Sequence, residues 1–424
     1  MDKRFFNIFN LTEQEAIALL DAPKDETDAG NSRYTAAAHL VNFPTDDSIN
    51  ALIRAVENTE SSLDNRIVRR KAVETLGRLT AKQALPIIRQ CLTDEDCYTV
   101  ENAVWAIGEF GIQEEDILEE VAQVLERPGQ LYRTIIHILT KLNYQKALSR
   151  LHPFTEHEDP PIASAAIAAI CRLSGDDTEM GKVVEFLQHS SVNARRGCIQ
   201  DLIDCDYDPA IPQIARCPVS LVFRLRAIRL IGYSGIKKGN LTFGQIQPYL
   251  EQVLRDNPND IDFVHEYDQT PSLAFAIQEL YQTDFGRCYL AIKTLLETYQ
   301  DETPQALFDT YEEEAHNDYG AHYHVMKLFG WLKYAPAYDL LMSALKNPLP
   351  QFQKSRAAAA IALGEIGDKR AIPELKASLE TNIWDLKYAA LMALEKLGDY
   401  SSHSIIANDS DPLISAKASQ TALL

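Results

Sequence analysis

The chain has 424 residues, 46% of them hydrophobic, so it can bury a sizeable core. Its 41 basic and 61 acidic residues give a formal charge of −20 at pH 7, which excludes general binding to nucleic acid or to an anionic membrane. The sequence contains no run of 18 apolar residues, and its N-terminal segment carries early charges without a long apolar core. We therefore expect no membrane span, no secretory signal and a cytoplasmic location.

A repeating unit of two predicted helices runs along the chain. The segment SRYTAAAHLVNFPTDDSINALIRAVE, from Ser32, aligns without a gap with SRAAAAIALGEIGDKRAIPELKASLE, from Ser355. One anchor position recurs at most steps of about 29 to 36 residues, a period typical of HEAT units. The anchors are Val41, Gly77, Gly108, Thr140, Arg172, Ile203, Gly232, Gly330, Gly364 and Gly398. The sequence thus predicts an all-α solenoid of about ten to twelve HEAT-like helical hairpins.

Three features recur within each unit. Apolar residues five, four and one positions before the anchor form a single helical stripe. We expect the anchor glycine to end the first helix in left-handed backbone, and a proline nine residues later to begin the second helix. Eight positions before the anchor, arginine recurs, and we interpret it as a structural ladder that ties each hairpin to the next. These residues are Arg33, Arg69, Arg195, Arg224 and Arg356.

We predict one solenoid over residues 1–424, with an N-terminal cap at 1–31 and regular repeats at 32–235. Residues 236–300 are predicted to form degenerate repeats or an insertion that could close over a groove, and 301–424 the C-terminal repeats and cap. The seven cysteines form no CxxC pair, so we expect them to be buried and reduced.

A column of polar residues lies seven and three positions before the anchors, one helical turn apart. We expect it to line the concave face of the solenoid, although a solvated helix face is the alternative. Trp105 favours a binding site, because an exposed indole among charges is unusual on a plain solvent face. The column contains Arg70, Glu74, Glu101, Trp105, Arg133, His137, Arg196, Arg229 and Tyr323, and Asn102 lies on the same helical face.

The segment HNDYGAHYHVMKLFGW, residues 316–331, concentrates groups suited to proton transfer on a bound ligand. It contains Asp318, Tyr319, His322, Tyr323 and His324, and the alternative is simply a polar, aromatic helix start. Its histidines lack the spacing of a zinc site and no HExxH occurs, so we predict no metal. No phosphate-binding loop or nucleophile motif is recognisable, so we predict no cofactor.

Two further segments carry a family resemblance: DCYTVENAVWAIGEFG at 96–111 and AHYHVMKLFGWLKYAPAYDLL at 321–341. Together with the repeat unit at 356–379, they resemble cyanobacterial phycobilin lyases of the E/F type, in the phycoerythrin-associated branch. The resemblance implies a lyase-isomerase that attaches phycoerythrobilin through a thioether to a cysteine of a phycoerythrin α subunit and isomerises it to phycourobilin. The alternatives are a lyase without isomerase activity, a bilin chaperone, and a non-catalytic HEAT-repeat scaffold.

In such a reaction the nucleophile is the cysteine of the acceptor protein, which explains why no catalytic cysteine motif occurs in this chain. Arginines would clamp the bilin propionates, carboxylates would accept pyrrole N–H groups, and aromatic rings would stack on the pyrroles. We expect Tyr319 to transfer the proton, tuned by Asp318 and His322. The expected bilin contacts are Arg70, Glu74, Glu101, Asn102, Trp105, Arg133, His137, Arg196, Arg229, Tyr323 and His324.

Overall fold

The computed structural model describes residues 11–23 and 32–421, so part of the predicted cap at 1–31 lies outside the described residues. Within the described part, the chain forms α-helices and short turns of 3-10 helix, without any β-strand. The predicted all-α helical-repeat fold is confirmed. None of these helices is long and apolar enough to cross a bilayer. The chain divides into two compact units, Met1–Met180 and Gly181–Leu424.

In the first unit, every second helix stacks on its counterpart in the next repeat, so that α2, α4, α6, α8 and α10 form one layer. The bounds of its helices are α1 (Glu13–Asp21), α2 (Arg33–His39), α3 (Asp46–Glu57), α4 (Leu63–Arg78), α5 (Leu85–Gln90), α6 (Cys97–Phe110), α7 (Glu115–Gln123), α8 (Tyr132–Lys141), α9 (Leu148–Leu151) and α10 (Pro160–Ser174).

The second unit repeats this stacking in the pairs α12 with α14, α17 with α19, α19 with α21 and α21 with α23. An irregular stretch, 261–271, separates α15 from α16. The bounds are α11 (Met180–Glu185), α12 (Val192–Asp204), α13 (Ile211–Arg216), α14 (Leu221–Lys238), α15 (Phe243–Arg255), α16 (Leu273–Gln278), α17 (Phe285–Thr298), α18 (Thr303–Thr310), α19 (Tyr319–Trp331), α20 (Tyr338–Lys346), α21 (Gln353–Ile366), α22 (Ile372–Ala377), α23 (Trp384–Lys396), α24 (His403–Ile406) and α25 (Pro412–Thr421).

The apolar stripe of each repeat is buried, as predicted. The residue just before the anchor is fully shielded from solvent in five repeats, and each such side chain contributes about 1.5–3 kcal/mol by leaving water. These residues are Leu76, Ile107, Leu139, Leu202 and Ile231. The prediction for the prolines is also confirmed, because Pro86, Pro212 and Pro373 lie in the first turns of α5, α13 and α22.

The role predicted for the anchor glycines was wrong for most of them. Gly77, Gly108, Gly330 and Gly364 lie inside helices, where each faces the next repeat. A Cβ atom on Gly364 would lie 2.9 Å from the Cα atom of Ala393, which is closer than real Cβ contacts come. The glycines are therefore needed for the close approach of consecutive helices, rather than for ending them.

The left-handed residue lies three positions after the anchor. Gly111 and Gly367 adopt φ values of +66° and +81° there, and most other repeats use a small or polar residue at this position. The further residues are Thr80, Asn143, Gly175, Asp206 and Lys333. Gly398, with φ of +74°, also occupies this loop position, so the helical anchor of the last repeat is Glu395.

The arginine ladder is confirmed as a structural device. Arg69 donates from Nε to the carbonyl of Val56 in the preceding helix, at 2.9 Å, and from NH1 to Asp94 in the following loop, at 2.8 Å. Arg224 likewise binds the Ala215 carbonyl at 3.0 Å and pairs with Asp256. Each arginine thus satisfies carbonyls left open at the end of one helix while it links to the next repeat.

Candidate functional site

The second unit contains a groove of about 720 Å³, within the range of about 300–1,000 Å³ usual for small-molecule sites. The first turns of α14, α19, α21 and α23 provide much of its lining, because side chains in the first turn of a helix project back past its N-terminal end. The lining includes Arg196, Leu221, Val222, Phe223, Leu225, Arg226, Arg229, Tyr281, Gln282, Thr283, Phe285, Asp318, Tyr319, Pro350, Gln353, Lys354 and Asp385.

Three arginines from α12 and α14 contribute cationic groups to the groove. The guanidinium carbon of Arg196 lies 5.0 Å from the ring centre of Phe223, and its NH2 donates to the Thr283 carbonyl at 3.0 Å. Arg229 lies 4.1 Å above Trp384, its Nη2 lies 3.7 Å from a carboxylate oxygen of Asp411, and its Nε is buried without a hydrogen-bond partner. Stacking on an aromatic ring holds a guanidinium in a fixed plane while leaving N–H groups available for a carboxylate.

Lys354 lies among aromatic rings at the start of α21. Its Nζ is 4.6 Å from the ring centre of Phe285, 5.0 Å from that of Tyr319 and 5.3 Å from that of Tyr323. Among the described residues it has no carboxylate partner within salt-bridge distance. Burial lowers the pKa of Lys354 to about 8, because the cost of desolvating the ammonium is only partly offset by Cys288, Asp318 and Asp256.

Two carboxyl groups also line the groove, and they differ in environment. Asp318 caps α19, because its Oδ1 accepts the backbone N–H groups of Gly320 at 2.8 Å and Ala321 at 2.7 Å. Asp385 is half-buried at the start of α23, and burial raises its pKa above the usual range. The groove thus combines four basic side chains with two acidic ones, in a chain whose overall charge is −20.

A fully buried polar cluster lies behind the aromatic wall of the groove. Asp256 accepts hydrogen bonds from Tyr289 at 2.9 and 3.0 Å and from Tyr323, and it pairs with Arg224. Phe285, which lines the groove, stacks on Tyr323 at 6.0 Å between ring centres. The satisfied donors and acceptors of this cluster hold the wall rigidly in place.

The structure places two of the three predicted catalytic residues, Asp318 and Tyr319, in the groove. Tyr319 is 57% exposed there. His322, which was expected to tune Tyr319, is not among the groove residues, and its tuning role stays a prediction. His322 is 1% exposed and packs instead against Phe352, at 4.6 Å between ring centres, and Tyr311. Tyr319 remains exposed because it is the first residue of α19, whereas His322 lies almost one turn further along the helix, where Tyr311 and Phe352 cover it.

Two predicted bilin contacts of α19 are also inaccessible. Tyr323 and His324 are both fully buried, because α17 packs over this part of the helix. Tyr323 binds Asp256, and the ring of His324 lies 4.6 Å from that of Phe285. Burial lowers the pKa of His324 well below its ordinary value, so it stays neutral. These residues lie behind the wall of the groove and are not exposed at its surface.

The predicted contacts of the first unit are mostly engaged with neighbouring repeats. Arg70 forms a bidentate pair with Asp96, at 2.6 and 2.5 Å, and its carbonyl accepts a hydrogen bond from Asn102 at 3.1 Å. Glu101 accepts from Thr134 at 2.6 Å. These pairs link α4 with α6 and α6 with α8. The polar column therefore carries inter-repeat contacts in this unit.

Two of the remaining first-unit residues have partners in their own helix or in the next repeat. Glu74 pairs with Lys71 and with Arg78, and Arg133 donates to the carbonyl of Pro161. His137 is half-buried. Trp105, expected to be exposed, is also half-buried, and its six-membered ring covers Gly77.

Sequence reasoning missed Arg226, Lys354, Asp385 and the aromatic residue Phe223. Val222, Lys354 and Asp385 each lie ten positions before the helical anchor of their repeats. That register position contributes to the groove together with Arg196 and Arg229, which lie seven and three positions before their anchors. A charged residue that recurs in the first helical turn, as Lys354 and Asp385 do, is the signal that could have found it.

The architecture defines an α-helical repeat protein of the HEAT class with a cationic, aromatic groove. A family model for HEAT repeats matches residues 61–128, 304–395 and 338–418. The chain is 60% identical to phycocyanin operon protein Y of Pseudanabaena tenuis, over 98% of this chain and 99% of that protein. It is 34% identical to the bilin biosynthesis protein CpeY of Synechococcus sp. WH8020, over 93% of this chain and 97% of that protein.

Two less similar matches are named as bilin lyases. The α subunit of the phycocyanobilin lyase of Thermosynechococcus vestitus is 32% identical over 42% of this chain and 70% of that protein. A solved complex of CpcE and CpcF, the phycocyanin lyase of Nostoc sp. PCC7120, matches with 23% identity and a TM-score of 0.47, over 58% of this chain and 96% of that chain. The chain belongs to the family of HEAT-repeat bilin biosynthesis proteins that includes CpeY and the E-type bilin lyase subunits.

Proposed function

We propose that this protein binds phycoerythrobilin in the groove of its second unit and attaches it through a thioether to a cysteine of a phycoerythrin α subunit. The observation that carries the proposal is the composition of the groove, which concentrates four basic side chains and several aromatic rings in a strongly acidic chain. A linear tetrapyrrole needs this combination, because it has two carboxylates and four flat, conjugated rings.

Different side chains of the groove are suited to bind different parts of the bilin. Arg196, Arg226 and Arg229 are suited to the two propionates, since a guanidinium binds a carboxylate through two parallel N–H groups. Phe223 and Tyr319 provide surfaces for stacking on pyrrole rings. Asp318 and Asp385 are the two carboxyl groups of the groove that are suited to accept pyrrole N–H groups.

Attachment adds the acceptor's S–H across the exocyclic double bond of ring A. The sulfur forms a bond to the ethylidene carbon, and the ring takes up one proton, so no oxidant or reductant is required. Free bilin and thiol can react unaided, and the benefit of the groove is therefore orientation of the bilin towards one cysteine and one face.

We further propose that the protein isomerises the attached bilin to phycourobilin. This step removes a proton near ring A and delivers another to the adjacent methine bridge, which shortens the conjugated system without changing its composition. Tyr319 is the proposed proton carrier, because its side chain is exposed in the groove beside the Lys354 ammonium.

Co-expression of the protein with phycoerythrobilin synthesis and the phycoerythrin α subunit tests these proposals. Covalent colour on the acceptor that withstands denaturation supports attachment, and a blue-shifted absorbance identifies isomerisation. A coloured acceptor whose absorbance is not blue-shifted would indicate a lyase without isomerase activity. If the protein retains bilin but transfers none, it is a chaperone, and a colourless preparation would favour the scaffold function.

A further inference from the structure

We propose that Lys354 is the general acid of the attachment reaction and delivers the proton that ring A takes up as the thioether forms. This inference rests on the proposed bilin-binding function of the groove and assigns the proton-transfer step to a residue at its wall. The observations that carry it are the position of Lys354, the rings that surround its ammonium and its lack of a carboxylate partner.

Lys354 is half-buried in the first turn of α21, and it lines the groove between two walls of aromatic rings. Phe285 of α17 and Tyr319 of α19 lie within 5.0 Å of its Nζ, measured to their ring centres. Ring faces attract an ammonium without accepting its proton. The lysine is thus held in place while its three N–H groups remain available to a ligand.

Two other shielded lysines of this unit are paired with carboxylates, whereas the fully buried Lys327 binds the backbone carbonyls of Leu254 and Arg255. Lys387 pairs with Asp409 at 2.6 Å, and Lys417 binds both Glu251 at 3.0 Å and Glu395 at 2.6 Å. A carboxylate at such a distance stabilises the ammonium and makes it a weaker acid. Lys354 has no such partner within salt-bridge distance among the described residues. Its ammonium therefore loses a proton more readily than those of Lys387 and Lys417.

The titratable groups near Lys354 favour this behaviour. Desolvation dominates, which lowers the pKa of Lys354 to about 8, near the value that suits a general acid at neutral pH. Three acidic groups raise the pKa of Lys354 and so oppose this lowering, and a neutral histidine and two tyrosines also lie near the ammonium. These groups are Asp256, Cys288, Asp318, Tyr319, Tyr323 and His324.

The step balances in atoms and charge. The thiolate sulfur of the acceptor forms a bond to the ethylidene carbon, and the π electrons of the double bond move to the neighbouring ring carbon. That carbon takes the proton from Lys354, whose N–H bond breaks. The thiol proton released to water replaces the one that Lys354 gave, and the net reaction is addition of R–SH to a double bond.

The experiment compares attachment rates of the wild-type protein with those of Lys354→Gln, Lys354→Arg and a control, Lys237→Met. Lys237 is exposed on α14 and is not among the groove residues. Lys354→Gln should slow attachment by about 10²–10⁴-fold, while the absorbance of retained phycoerythrobilin reports whether binding survives. Lys354→Arg should not restore the rate, because arginine keeps the charge but does not release its proton.

The pH dependence of the rate separates acid catalysis from a structural role. The ratio of the wild-type rate to that of Lys354→Gln cancels the ionisation of the acceptor thiol, which is common to both. We expect this ratio to be constant below pH 7 and to fall towards one as the pH rises through about 8. A ratio independent of pH, or full rescue by Lys354→Arg, would overturn the proposal. If the wild-type protein itself attaches no bilin, the proposed function fails instead.

Discussion

The packing of Trp105 on Gly77 gives a test that distinguishes the observed inter-repeat contact from the helix-ending role expected from sequence. A Cβ atom on Gly77 would lie 2.7 Å from Cζ3 of Trp105 and 3.0 Å from the Cβ atom of Ala106. Gly77→Ala therefore forces the indole to move, at a cost of about 1–3 kcal/mol. Alanine regains about 1 kcal/mol through its helix propensity, so the net destabilisation should be about 0–2 kcal/mol.

The same substitution should have the opposite effect when the indole is absent. In a Trp105→Leu background the main clash is gone, so Gly77→Ala should be neutral or stabilising, and the coupling between the two sites should be about 1–3 kcal/mol. Amide hydrogen exchange in α4 and α6 measures the local free energy of opening, which suits a repeat protein that need not unfold in one step.

A matched control is available in the second unit. Gly244 lies in α15 with open space around the position of a Cβ atom, so Gly244→Ala should gain only the helix propensity. If Gly77→Ala costs the same free energy with and without Trp105, the close-approach explanation is refuted. A constant loss would point instead to a backbone conformation that only glycine tolerates.

Four further predictions concern the second unit. Arg224→Met should destabilise it by about 3–5 kcal/mol in hydrogen exchange, because Asp256 loses its buried counter-charge, and adding Asp256→Asn should recover part of the loss. Burial lowers the pKa of His322 to about 4, so protonation favours the unfolded chain and the free energy of unfolding should fall below pH 6.5. Compared with His322→Phe, the wild-type protein should lose about 2 kcal/mol of stability between pH 7 and pH 5. A stability difference between the two proteins that does not change with pH would contradict this prediction. Tyr319→Phe should leave attachment intact but prevent the blue shift of the product, whereas Arg229→Ala should weaken bilin retention by about 10–100-fold, as a dye-binding titration would show.

The repeat fold could be predicted because its signals are local. Periodic apolar positions, the prolines of the second helix and the arginines before each anchor all depend on residues within one or two repeats. The anchor glycines were harder to interpret, since a glycine near a helix end is equally consistent with a left-handed cap and a close contact. Only the position of the next helix, as at Gly364 and Ala393, decides between them.

The candidate site was predicted less completely, because it depends on contacts between helices that are far apart in the sequence. Arg196 and Arg229 were found because they lie at positions that the repeat register highlights, and Asp318 and Tyr319 because polar and aromatic residues are concentrated at 316–331. The burial of Tyr323 depends on α17, which belongs to the stretch where the repeat pattern is weakest. Lys354 escaped notice because nothing in its own helix reveals the aromatic rings that surround it.

The arginine ladder has a consequence for how the chain comes apart. Its slot contains Val100, Tyr132 and Ser164 in three successive repeats, between the arginine at 69 and the one at 195. Arg127 replaces part of the link by binding the carbonyls of Leu92 and Asp94. Where the ladder is interrupted, neighbouring repeats depend on apolar packing and on side-chain pairs such as Glu101 with Thr134. Partial opening should need less free energy there, so we expect the array to unfold in segments, beginning in this region.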